Sequence, residues 1–286
     1  MKFLILGNSH SNDVCHHLSR VFNAQGYEQP YTIGFLYYSG CLIRQHVDFS
    51  AQNQSVYDYY RSNGDGTNTR KRGYTMQGAL EDQDWDMIFL QPGKRDMQAE
   101  KLNLEARRSL EEYVNAHVPS EHVFAWHTSW PNPNDEKFFS DDWWRKPPKT
   151  IKSFLVEAYG HDPFVQFGVY TNTAKENILP DPTYTKHICT GAAIFYAAHV
   201  LKIPQDRIYR DYTHLSDFGR IMASYTFYAQ FTGKPIEEVK LDMLPAQYRQ
   251  AHYVPEGDLI LDAEMKEIIK TCANYALEYP WEVPAV

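Results

Sequence analysis

Phe3-Leu4-Ile5-Leu6-Gly7-Asn8-Ser9-His10-Ser11 is the stretch that decides the fold. Four consecutive apolar residues without alternation suit a strand buried on both faces, as in a parallel sheet covered by helices. Gly7 ends the run. Asn12 or Asp13 can then cap a helix whose apolar positions Val14, Leu18, Val21 and Phe22 follow helical spacing, and Gly26 stops it. The same rhythm continues outward. Residues 31–38 and 87–90 read as the second and third strands, closed by the turn signals Ser39-Gly40 and Pro92-Gly93. Residues 102–118 read as a helix and 122–126 as the fourth strand, while the fifth is either 164–169 or 185–189. Residues 216–231 and 262–277 are the last two helices. Alternating strands and helices predict an α/β chain with a mostly parallel sheet covered on both faces.

Two stretches break the rhythm. Residues 51–74 are polar and rich in Gly and Asn, and residues 131–149 are rich in Pro, Asp and Trp, so both read as inserts in one domain spanning 1–286. With 43% hydrophobic and 22% charged residues the composition is globular, and fibrous and disordered classes are excluded. A chain of this length buries roughly three quarters of its unfolded surface, so its core needs no metal or disulfide staple.

The charge balance excludes a nucleic-acid binder. There are 28 basic against 36 acidic residues, a net charge of −8, and the single basic cluster Arg70-Lys71-Arg72 reads as a solvated loop. The longest apolar stretch, 191–201, is interrupted by Tyr196 and His199 and falls far short of a membrane span. Four strongly apolar residues after Met1-Lys2 are too few for a signal peptide, so the expectation is a cytoplasmic protein, or a secreted or periplasmic one if a leader has been trimmed. Cys15, Cys41, Cys189 and Cys272 are far apart, with no C-x-x-C pair, and read as small buried apolar residues. Twelve histidines include no H-E-x-x-H or comparable spacing, so neither metal nor cofactor is expected.

Two local patterns carry candidate chemistry. Ser9 sits where a first strand turns into a helix, exposed at the carboxyl edge of the sheet beside the free N–H groups of the helix start. The bland alternative is a helix cap or turn residue. Asp211-Tyr212-Thr213-His214 is a D-x-x-H step that aims an imidazole outward while the carboxylate folds back to the ring's other nitrogen. Its bland alternative is a surface Asp and a His near a helix cap.

Taken together, these residues resemble the SGNH/GDSL hydrolase superfamily, in a bacterial, mostly uncharacterised branch. Gly7-Asn8-Ser9-His10 resembles its first block, with Asn8 where Asp is usual. Ser39-Gly40-Cys41 resembles the second block and Asp211-Tyr212-Thr213-His214 the fifth. Trp85 to Gln91, Trp126-His127-Thr128-Ser129-Trp130 and His214-Leu215-Ser216 with Gly219-Arg220 extend the likeness. The resemblance implies a three-layer α/β/α, flavodoxin-like fold with a parallel sheet of about five strands. It implies a serine esterase acting on a small acyl ester such as an acetyl ester of a carbohydrate. Ser9 would be the nucleophile, His214 the base and Asp211 its orienting acid. The N–H groups of Ser9 and Gly40 and the Gln91 side chain would form the oxyanion hole. Gln91 stands where that superfamily has an asparagine, one methylene shorter.

Trp126 and Trp130 lie at the end of the fourth strand, with Trp143 and Trp144 beyond, and aromatic platforms there suit a sugar ring or an acyl group. Core packing is the alternative for these indoles. His127 either contacts substrate or satisfies a buried polar network. Two rival readings remain. One is a non-catalytic ligand-binding module on the same fold. The other, a phosphate or nucleotide binder using the Gly7 to Ser11 turn, lacks the G-x-G-x-x-G and G-K-[ST] signatures.

Overall fold

The opening apolar run forms strand β1 (Lys2–Gly7), inside a seven-stranded sheet. In the computed structural model, which describes residues 1–98, 100–135, 138, 162–248 and 257–284, Phe3 to Leu6 are each at most 1% exposed. β1 pairs in parallel with β2 (Thr32–Tyr37) on one side and β5 (Met87–Leu90) on the other, and β6 (Val123–Thr128) continues in parallel beside β5. Two faces of β1 therefore need cover. Leu4 and Leu6 join Leu36, Trp85, Ile88 and Leu90 beneath Leu110 and Val114 of the helix Glu100–His117. Phe3 points the other way, onto Phe22 of helix α1 (Ser9–Gln25) at 6.2 Å between ring centroids and onto Phe89 at 5.7 Å.

Helix α1 starts earlier than its apolar spacing indicated. Asn8, not Asn12 or Asp13, is the cap: its extended backbone turns the chain, and its side-chain oxygen accepts the His10 N–H at 3.0 Å. Gly26 ends the helix in the left-handed region at φ 72°, as its place in the sequence indicated.

The expected sheet of about five parallel strands in a three-layer SGNH-type arrangement is corrected. The sheet is mixed: with β3 (Tyr57–Asn63), β4 (Asn68–Tyr74) and β7 (Tyr184–Cys189) its order is β4-β3-β2-β1-β5-β6-β7, and a second, two-stranded antiparallel sheet pairs Met243–Leu244 with Leu259–Ile260. The difference lies mainly in residues 51–74. There β3 (Tyr57–Asn63) runs antiparallel to β2, and β4 (Asn68–Tyr74) runs antiparallel to β3. Tyr57 and Tyr59 are buried while their neighbours Asp58 and Tyr60 are not, a period of two that a half-buried hairpin requires. The Gly and Asn residues read as an insert are the turn between these strands. β7 is Tyr184–Cys189, the second of the two expected positions, whereas 164–169 lies in the helix Pro163–Asn177.

The chain divides into two compact units, Met1–Ser129 with Thr173–Ile188, and Trp130–Asn172 with Cys189–Val286. The large sheet is built almost wholly from the first. In the second, the helices Thr190–Phe195, Asp217–Thr232 and Ala263–Glu278 pack together, and Gln230 fastens them. Its Oε1 accepts the Cys189 N–H at 2.7 Å and its Nε2 donates to Ala276 O at 2.5 Å. Among the described residues no helix is long and apolar enough to cross a membrane. All four cysteines are free thiols, and burial pushes each of them up from the ordinary thiol pKa.

Candidate functional site

In the first unit, strand order places a switch point between β1 and β5. From β1 the chain goes first to β2 on one side, and later to β5 on the other. At such a point the connections leave in opposite directions and open a crevice at the carboxyl ends of the strands. Gly7-Asn8-Ser9 and Gln91-Pro92-Gly93 stand on its two rims. Gln91, 2% exposed, ties them together. Its Oε1 accepts the Asn8 N–H at 3.2 Å and the Ser11 hydroxyl at 2.9 Å, and its Nε2 donates to Pro92 O. Gly7 leaves room for this bracket, because a Cβ there would lie 2.4 Å from Ser11 Oγ and 3.0 Å from Gln91 Oε1.

Ser9 is the first residue of α1 and half-buried, and its hydroxyl has no hydrogen-bond partner among the described residues. The first turn of α1 carries no acidic side chain, so the positive end of the helix dipole is not neutralised there. Gly40 is exposed and takes φ +64° in the loop after β2. That loop is pinned from two sides. Asn8 Nδ2 donates to Cys41 O at 3.0 Å. The Asp96 carboxylate accepts the Ile43 N–H at 3.0 Å and the Gly93 N–H at 2.9 Å, both on Oδ2.

Sequence reasoning missed Asp96. Its signal was an acidic residue three places after the Pro92-Gly93 turn, spaced to fold back onto the turn's own N–H. At 1% exposure, burial pushes its carboxyl up to about 6 despite the two N–H bonds that favour the charged form.

Trp126, His127 and Trp130 lie inside the protein, at 1%, 0% and 0% exposure, so none is an open platform. Trp126 packs edge-on against Tyr184 at 5.5 Å and donates to Thr128 Oγ1. Burial lowers His127 to about 3, which keeps the ring neutral. Trp143 and Trp144 lie outside the described residues.

In the second unit, Asp211 and His214 occupy a tight loop that an isolated bridge between Tyr209 and Leu215 closes. Asp211 Oδ1 accepts the N–H groups of Thr213 at 2.9 Å and His214 at 2.8 Å, and its Oδ2 lies 2.9 Å from His214 Nδ1. Burial alone would raise this carboxyl. The His214 ring, through its hydrogen bond and its charge, and the two N–H donors outweigh burial and hold it below the usual carboxylate value. Trp130 Nε1 donates to Thr213 O at 2.9 Å and steadies the loop. With Nδ1–H held by the carboxylate, the neutral ring keeps Nε2 as its acceptor. Ser9 belongs to the first unit and the Asp211–His214 pair to the second. Within the first unit the buried Ser129 hydroxyl lies 3.3 Å from His10 Nδ1. Among the described residues no group of three His, Cys, Asp or Glu side chains is placed to hold a metal.

Comparison with known proteins gives a consistent answer. The family model described as "Domain of unknown function (DUF4886)" matches residues 2–245. A crystal structure of a DUF4886 family protein from Bacteroides uniformis superposes with a TM-score of 0.75 at 23% identity, over 99% of this chain and 97% of that one. At that identity it establishes the fold alone. A protein from Slackia heliotrinireducens described as a candidate SGNH hydrolase matches at a TM-score of 0.47 and 14% identity, over 81% of this chain and 98% of that one. So low a score carries no argument. No curated protein matches the chain. The SGNH/GDSL resemblance is therefore corrected, since the strong match leads to an uncharacterised family and not to a known hydrolase. With it fall the activities that rested on it: serine esterase, carboxylic ester hydrolase and carbohydrate esterase.

Proposed function

The chain belongs to the DUF4886 family, and from that premise we propose that it is a non-catalytic ligand-binding module. It takes a small polar molecule of the carbohydrate class in the crevice at the carboxyl ends of β1 and β5. The switch point between these strands is the observation that carries the reading, because ligands of open α/β sheets bind there.

The chemistry of the rim supports it. The Ser9 hydroxyl and N–H, at the positive end of α1, and the N–H of Gly40 in the loop after β2 are donors for a ligand oxygen. Gln91 acts through the bracket on Asn8 and Ser11, which fixes both rims before a ligand arrives. A rigid, neutral, hydrogen-bonding rim suits sugar hydroxyls, which donate and accept equally well. In the second unit, Asp211 and His214 are a separate pair for ligand contact, the carboxylate orienting the ring. Trp126, His127 and Trp130 are too deeply buried to take part in contact.

The test is calorimetric titration with a panel of neutral and acidic mono- and oligosaccharides, using the wild type, Ser9→Gln and Ser9→Trp. One sugar class should bind without being altered, and both variants should weaken it about tenfold or more while melting like the wild type. Absence of binding across the panel, or equal binding by the variants, overturns the assignment.

A further inference from the structure

The strand β4 is an edge. It pairs with β3 alone, every residue from Asn68 to Gly73 is exposed, and its far side has no backbone partner among the described residues. An edge of this kind is a template for another strand. Its sequence is Asn68-Thr69-Arg70-Lys71-Arg72, in a hairpin that carries four cations against two carboxylates on a chain of net charge −8.

Register separates these cations. Lys71 lies opposite the buried Tyr59, and its Nζ is 3.6 Å from Asp82 and 4.7 Å from the Tyr74 ring centroid, so its charge is spent inward. Arg70 lies opposite Tyr60, on the other face. Its guanidinium sits over that ring at 5.0 Å and meets Asp58 at 2.6 Å, which holds it in place. Arg72 shares the Arg70 face by strand alternation and has no partner among the described residues. Beyond it Gly73, at φ +60°, lies where the register with β3 shifts and closes the regular edge.

We propose that β4 is a docking edge for an extended acidic peptide of a partner protein, which adds as an eighth strand. Its carboxylates at alternate positions i and i+2 meet Arg70 and Arg72. A peptide backbone supplies both donors and acceptors to the ladder, which a phosphate chain, having acceptors only, cannot do. The same cations repel the β4 edge of a second copy, so they select an acidic strand and block pairing between like edges.

Fluorescence anisotropy of the full chain with labelled peptides tests this at low salt. A peptide alternating Glu with Val should bind at least tenfold tighter than one of the same composition with its Glu residues contiguous. N-methylation of alternate peptide nitrogens should abolish binding. Arg72→Glu should weaken the acidic peptide about tenfold without changing the melting temperature. Equal binding of the contiguous peptide or of an oligonucleotide would mean diffuse charge attraction and would overturn strand addition. So would an Arg72→Glu protein that binds like the wild type, or a wild type that binds no peptide.

Discussion

Replacing Asp96 by Asn should make the protein respond to pH differently, and the sign follows from the site. Both N–H donors meet Asp96 on Oδ2, so an asparagine with its carbonyl oxygen in that place keeps the Ile43 and Gly93 bonds. What it removes is the titration. The wild-type carboxyl rises from 3.8 to about 6 on folding. At about 1.4 kcal/mol per pH unit, the ionised form costs the fold ~3 kcal/mol relative to the protonated one. That stability is fully present below about pH 3.8, falls as pH rises, and is gone above about pH 6, because the folded state binds the extra proton between those values. The variant lacks this loss. Its stability relative to wild type should therefore improve by about 2 kcal/mol between about pH 4.5 and pH 7, or roughly 4–8 °C in Tm. Urea unfolding of both proteins at intervals of about one pH unit over that range reads the difference directly. Parallel pH profiles would refute the argument, since they would mean that Asp96 titrates alike in the folded and unfolded chain.

Gln91→Ala removes the acceptor of two buried donors and should destabilise the protein by ~3 kcal/mol in urea unfolding. It should also weaken any ligand of the β1/β5 crevice. Gly219→Ala puts a Cβ 2.2 Å from the backbone oxygen of Ile208, which cannot rotate away. It should cost about 3 kcal/mol or more, and a Tm close to wild type would contradict this. Asp211→Asn should lose stability at neutral pH, and the gap to wild type should close as pH falls below about 4, because the folded carboxyl sits below its unfolded value. In the same variant, nitrogen NMR should report loss of the Nδ1–H preference of His214.

The central strands were legible because burial on both faces leaves an unmistakable apolar run, as in Phe3 to Leu6 and Met87 to Leu90. The edge was not. β4 has no buried face, and its Arg70-Lys71-Arg72 reads locally as loop although the ladder to β3 holds it extended. Only the alternation of Tyr57 and Tyr59 beside the Asn63 to Gly66 turn carried the hairpin signal. The start of α1 was misplaced for a related reason. Asn8 stands next to the strand end, and nothing local distinguishes a cap there from one at Asn12 or Asp13. At the site, single positions such as Ser9 and Asp211 were visible as motif residues. Ser11 acquires its role from a loop distant in sequence, and so does Asp96 in its bond to Ile43; only the bond of Asp96 to the Gly93 turn left a local signal. The pattern that resembled a hydrolase was real in its residues, but the family and the mixed sheet are different.

Binding without turnover is most directly tested at Ser9 itself. Intact protein is incubated with a fluorophosphonate probe, which forms a covalent adduct only with a serine activated as a nucleophile, and is then weighed by mass spectrometry. The mass is expected to stay that of the unmodified chain. An adduct of one probe per chain, mapped to Ser9 and absent from Ser9→Ala, would contradict the account.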